Sequence, residues 1–233
     1  MPKLGIGASL PRSGIVTPGI VTDNLVLKHN YAKSSVVPVS DGAAYFDGTD
    51  DYIKIDSTVY DVDGSNLSFA WWGKIIDTSQ ICAAIGNEGN GAHQYIIVHS
   101  NGSIYVETDT NEDQINATLT SHDNEWHHYA FTTNGSGGGT FYQDGKNIGT
   151  SSSGLDDDMT IDTISNSESG PCWAGYLCNV AIWTRAITNA EIKSIMWKNY
   201  EGLTDSEKTD LVSWWNLSVN ANDSHGSNNG TLS

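Results

Sequence analysis

The chain has 233 residues, of which 17% are charged, and acidic residues outnumber basic ones 28 to 11 for a formal net charge of −17. That length fits a single all-β domain with a sizeable core. The charge argues against nucleic acid or anionic membranes as partners, because no basic stripe is present to release phosphate counterions, and no apolar run reaches the ~18 residues of a membrane span.

Residues 1–23 read as an extended arm. Gly5, Gly7, Pro11, Gly14, Pro18 and Gly19 interrupt the segment too often for a helix, and it lacks the unbroken apolar core of a secretory signal. A disordered terminus is the alternative. From residue 24 onward, short strand-like runs alternate with Gly/Asn/Asp/Ser clusters: 24–31, 43–48, 51–56, 67–76, 94–100, 103–109, 126–133, 139–145 and 175–183. Period-2 alternation places Leu67, Phe69 and Trp71 on one side and Ser68, Ala70 and Trp72 on the other. Asn101-Gly102, the run Gly135–Gly139 and Asp144-Gly145 supply turns.

Helix signals are confined to the end of the chain. Thr188 and Glu191 form a capping box ahead of Ile192, Ile195 and Met196, and Thr204 with Glu207 forms a second box before Leu211. Leu211–Leu217 (LVSWWNL) echoes Leu25–Tyr31 (LVLKHNY) in its Leu-Val pair and an Asn at equal offset. Residues 204–233 therefore read as folding back as a terminal strand, or else as the remnant of a second domain. The three cysteines, Cys82, Cys172 and Cys178, do not make a disulfide framework, and the latter two read as small buried apolar residues.

The motifs FDGTDDY (46–52), LSFAWWGKI (67–75), EWHHYAFT (125–132), YQDGKNIG (142–149) and GYLCNVAIWTRAITNAEI (175–192) resemble the laminin-G-like branch of the concanavalin A-like lectin and glucanase domains. The resemblance covers roughly residues 24–200. It implies an antiparallel jelly-roll β-sandwich over residues 24–233, with one or two short helices near the C-terminus, and places Phe46 and Trp126 in the core. It also implies a non-catalytic, lectin-like role. Related domains occur in tailed-phage virion proteins, in bacterial surface proteins and in secreted glycan-degrading enzymes. Without a signal peptide, the expectation is a virion surface or capsid-decoration protein. The arm would dock it on capsid or other virion proteins, and the sandwich would be displayed to host glycans. The extracellular alternative is a secreted bacterial carbohydrate-binding or adhesion module, and self-association stays open.

Three kinds of site are expected. For sugar stacking, the candidates are Trp72 and Trp173, with Asn87, Asn90 and Gln94 in a polar rim that also holds Glu88 and His93. For Ca²⁺, the candidates are Asp47 and Asp50 of the FDGTDD turn, while Asp61/Asp63 and Asp156–Asp158 form further acidic clusters. Ordinary turn chemistry, with aspartates accepting backbone N–H bonds, is the other reading of that turn. For catalysis, Glu107, Asp109 and Glu112 match the E-x-D-x-x-E pattern of the related retaining glucanases, whose first glutamate is nucleophile and last is acid/base. Polar neighbours and a loop-like setting argue against that match. His127 and His128 are adjacent in a strand and so point to opposite faces, which rules out joint metal chelation.

Overall fold

Alternating apolar runs pair into two seven-stranded antiparallel sheets that face each other. The computed structural model describes residues 40, 42–89, 93–108, 114–166 and 172–233. The expected arm and the strand expected at 24–31 lie outside the described residues.

The first sheet runs in the order β1 (Ala44–Asp47), β12 (Ala174–Trp183), β3 (Ser68–Ile75), β8 (Trp126–Thr133), β9 (Gly139–Gln143), β10 (Lys146–Ser151), with β13 (Leu211–Trp215) also on β12. The second runs β14 (Thr231–Leu232), β2 (Ile53–Tyr60), β11 (Met159–Ile164), β4 (Cys82–Gly86), β5 (Tyr95–Val98), β6 (Ser103–Glu107), β7 (Gln114–Thr118). Register follows burial. In β2, Ile53 and Ile55 are buried while Lys54 and Asp56 are exposed, and a one-residue slip would exchange those faces. Asp144 and Gly145 both take positive φ, 51° and 71°, so the β9–β10 hairpin turns as the Asp-Gly pair predicts.

Phe69, Trp71, Phe131, Phe141, Trp173 and Trp215 fill the space between the sheets. A second apolar layer lies outside the first sheet. Ala70, Ala130 and Ala181 face outward from β3, β8 and β12 in register. Their small side chains make a bed on which Ile192 and Ile195 of α1 (Asn189–Ile195) pack with Trp183 and Trp214. The Thr188–Glu191 capping box forms as expected, and Arg185 grips Glu191 with two nitrogens at 3.1 and 2.7 Å.

This outer layer corrects the reading of the tryptophans. Trp72, expected at the surface, is 3% exposed: the segment after α1 covers it, and its indole N–H donates to the Met196 carbonyl at 2.9 Å. Trp173 is fully buried between the sheets, so neither ring can stack on a sugar. Trp126, expected in the core, is half-buried on the outer face of β8.

Residues 211–233 touch both sheets. Trp215 and Trp214 pair with Val180 and Ala181 of β12, and Thr231 and Leu232 pair with Lys54 and Ile53 of β2. β1 and β13 lie end to end along one edge of β12, β1 opposite residues 174–177 and β13 opposite residues 180–183.

Candidate functional site

The outer face of the second sheet carries a shallow groove of about 280 Å³ lined by Ile81, His93, Tyr95, Ile97, His99, Tyr105, Glu107 and Gln114. Strand alternation builds it. Ile96, Val98, Ile104 and Val106 turn into the core, which leaves Tyr95, Ile97, Tyr105 and Glu107 facing outward. Pairing then sets Tyr95 beside Glu107, Ile97 beside Tyr105 and Glu107 beside Gln114. The Asn101-Gly102 turn fixes that register. Gly102 takes φ +81°, its N–H donates to the His99 carbonyl at 2.9 Å, and His99 N–H donates to the Ser103 carbonyl at 2.7 Å.

Polar groups are ordered at one end of the groove. The Tyr95 hydroxyl donates to Glu107 Oε2 at 3.0 Å, and His93 Nδ1 lies 2.7 Å from Oε1. The His93 and Tyr95 rings stack with centroids 5.7 Å apart, and His99 tilts against Tyr105 at 5.8 Å. The floor thus offers aromatic faces and Ile97, with a carboxylate and an amide at the side. That mixture suits a ring with one apolar face and a hydroxylated edge.

Glu107, the glucanase candidate nucleophile, is therefore in a groove, but both of its oxygens are engaged. Asp109 and Glu112 lie outside the described residues, as does Asn90. Asn87 and Gln94 do not line the groove. Asn87 Nδ2 donates to Gln94 Oε1 at 3.3 Å, and Gln94 Oε1 also accepts from Thr160 N–H at 2.9 Å, so the pair braces the β4–β5 connection against β11. Of the expected rim residues that are described, only His93 lines the groove.

The carboxylates of Asp47, Asp50 and Asp51 come within 4.8 Å of one another, as do those of Asp61, Asp63 and Asp158. Turn chemistry accounts for part of the first cluster. Asp47 Oδ1 accepts from Thr49 N–H at 2.7 Å, and Asp51 Oδ2 accepts from Asp47 N–H at 3.1 Å. In the second, Asp61 accepts from Gly64 N–H and the Ser65 hydroxyl, and these bonds hold its carboxyl below the usual range. The adjacent histidines point apart as expected. His127 lies between Asp144 (2.8 Å) and Asp123 (3.1 Å), while His128 is buried beside Trp72.

The groove residues Tyr95, Ile97, His99 and Tyr105 were not singled out from sequence. The signal was present in QYIIVHS and SIYVE, two alternating runs joined by a tight turn, whose outward positions hold the aromatics.

Comparisons agree with the topology. A family model described as the concanavalin A-like lectin/glucanases superfamily, of laminin-G type, matches residues 47–193. No curated protein matches the chain in sequence. Among solved structures, a candidate carbohydrate-binding protein from Bacteroides ovatus is 17% identical with a TM-score of 0.62. The match covers 84% of this chain and 58% of that one, and at this identity it shows the fold alone. The receptor-binding domain of the botulinum neurotoxin C/D mosaic serotype is 17% identical over 66% of this chain and 44% of its own, with a TM-score of 0.47. The binding domain of botulinum neurotoxin DC, solved in complex with SialylT, is 17% identical over 67% and 44%, with a TM-score of 0.45. A family match over more than half the chain, on two facing antiparallel sheets capped by one short helix, makes this protein a member of the laminin-G-type concanavalin A-like lectin/glucanases superfamily.

Proposed function

We propose that this lectin-like sandwich is a non-catalytic glycan-binding module and that its sugar sits in the Tyr95–Tyr105 groove. The carrying observation is the outward-facing row of Tyr95, Ile97 and Tyr105 beside Glu107 and Gln114, an aromatic floor with oriented polar groups at its edge. Replacing Tyr105 with alanine removes a stacking face from the outer surface and is expected to weaken glycan binding roughly tenfold without unfolding the protein. Titration calorimetry against glycans first identified on an array measures this. Unchanged affinity in the variant would remove the groove from the proposal. Glu107 acts here as a positioning residue for His93 and Tyr95. Release of sugar from laminarin or agar by the unmodified protein, abolished in Glu107→Gln, would establish the glucanase reading in its place.

The proposal extends to setting and cofactor. The Gly/Pro-rich segment 1–23 and the strongly acidic composition support display on a virion surface, docked on capsid or other virion proteins. Mass spectrometry of purified particles tests this, and absence of the chain from intact particles would sink it. Ca²⁺ held by Asp47 and Asp50, with Asp51 within reach, is the cofactor the carboxylate set fits. Millimolar Ca²⁺ is expected to raise the melting temperature of the unmodified protein and not that of Asp50→Asn. An equal response of the two would refute the site.

A further inference from the structure

Among the described residues, only part of the outer face of the first sheet is covered. α1 and the turn after it lie over the alanine bed and over Trp72, and they stop there. Beyond that edge one cross-strand row from β1 to β8 is left open among the described residues. Tyr45 on β1 pairs with Tyr176 on β12, Tyr176 with Lys74 on β3, and Lys74 with Trp126 on β8. Tyr45 is 51% exposed and Tyr176 is 36% exposed, and their ring centroids lie 5.1 Å apart; Trp126 leans to within 6.1 Å of Tyr176. At the rim, Trp197 is 55% exposed against Trp72.

We infer that the Tyr45–Tyr176–Lys74–Trp126 row is a second glycan-binding surface, for an uncharged saccharide chain lying across the strands, so that one sandwich carries a sugar site on each outer face and can bridge two glycans. The occupant follows from the chemistry of the row. Aromatic faces standing side by side on a flat sheet offer stacking without a pocket, which fits a linear chain more than a single ring. Lys74 has no ion-pair partner among the described residues and stands in the middle of the row, where its ammonium can donate to hydroxyls. Asp47 continues the exposed face of β1 two residues beyond Tyr45 and supplies an acceptor. An apolar protein partner would have to bury the Lys74 charge unpaired, which is costly. A polyanion would meet the net charge of −17.

The platform stands independently of the groove, while bridging rests on the groove reading as well. The experiment uses the full chain with two neutral linear probes, laminarihexaose and agarohexaose, in calorimetric titrations of the unmodified protein, Tyr176→Ala, Trp126→Ala, Tyr105→Ala and Tyr176→Ala/Tyr105→Ala. Circular dichroism confirms that each variant is folded. The expected result is two sugar sites on the unmodified protein, one of them weakened roughly tenfold in each single-face variant, and both weakened in the double variant. Beads coated with the bound glycan should clump with the unmodified protein and not with either single-face variant. Loss of all binding in Tyr105→Ala, with Tyr176→Ala and Trp126→Ala unchanged, would overturn the platform and leave the groove. Loss of all binding in Tyr176→Ala alone would overturn the groove and the bridging. Binding of neither probe, or a dimer of the unmodified protein that becomes monomeric in Tyr176→Ala, would overturn the platform as a sugar site.

Discussion

Gly175→Ala is expected to cost the fold at least about 3 kcal/mol, a large share of the ~5–15 kcal/mol that holds a typical domain together. Gly175 takes φ +146°, a conformation that side-chain-bearing residues rarely adopt. A Cβ there would lie 2.0 Å from the Lys74 carbonyl oxygen and 3.1 Å from Ile76 N, and both are backbone atoms of the neighbouring chain segment. Neither can yield as a flexible side chain would. The position also pairs with Phe46 of β1 on one side and Ile75 of β3 on the other, so relief at Gly175 disturbs two strand pairs. Guanidinium unfolding of the variant measures the loss. Gly89→Ala is the control: it is exposed, a Cβ there would make only an ordinary contact at 3.5 Å with Asn87, and it should change stability by no more than about 0.5 kcal/mol. A loss below about 1 kcal/mol in Gly175→Ala would show that β12 can shift away from β3.

Acidification is expected to destabilise the protein, and the first loss belongs to His128. Its ring is fully enclosed, edge-on to Trp72 at 5.5 Å, and its Nδ1 has no partner among the described residues. Burial pushes its pKa from 6.5 down to about 4. A lowered folded-state pKa means that the contribution is complete above the unfolded value near 6.5. It falls as protons bind the unfolded chain and is gone once the pH passes below about 4, a loss of roughly 3 kcal/mol. Glu207 contributes to the loss at lower pH, together with Asp144, Glu191 and Asp223, which are also held below the usual carboxylate range. Burial alone would raise Glu207, but Lys198 Nζ at 2.7 Å and the Thr204 donors outweigh burial and bring it from 4.5 to about 2. Its contribution is present above about 4.5 and lost as the pH falls through about 2.

His127, one residue earlier, has the opposite sign. Burial lowers it, but the carboxylates of Asp144 and Asp123 more than compensate, so its pKa is raised. Its contribution is complete below the unfolded value and is lost as the pH rises through the folded one. Urea unfolding between about pH 7 and about pH 4 separates these terms. His128→Gln and His128→Phe should both flatten the acid limb in this window, and an unchanged slope in both would assign it to other groups.

Much of the architecture was legible in the chain because strands send successive side chains to opposite faces and so alternate in residue type. LSFAWWGKI, WHHYAFTT and QYIIVHS alternate and lie in strands, and Asp144-Gly145 turns where its φ preference demands. Strands without that signature were missed. In β4, CAAIG is buried at every position and built of small residues, so neither face looks polar. In β11, MTIDTI carries a register shift between Ile161 and Thr163 that breaks the period. The binding tryptophans failed for a related reason. Alternation states which side of a strand a ring takes, but not whether that side is wet. Trp72 points outward as expected, and a segment more than a hundred residues later in the chain covers it. The groove was overlooked because its rings are tyrosine and histidine, spread singly over the outward positions of two runs joined by a tight turn.

The path of residues 211–233 has a mechanical consequence. One stretch of chain hydrogen-bonds to the first sheet through β13 and to the second through β14, so it acts as a hasp across the open edge of the sandwich. Tension on the C-terminus reaches β14 first, two exposed residues that can be peeled one bond at a time. β13 behind it is pinned along β12, with the Trp215 indole N–H on the Asn228 carbonyl at 2.8 Å. Force applied there would therefore unlatch the edge at Ile53 while the core behind Trp215 stayed closed.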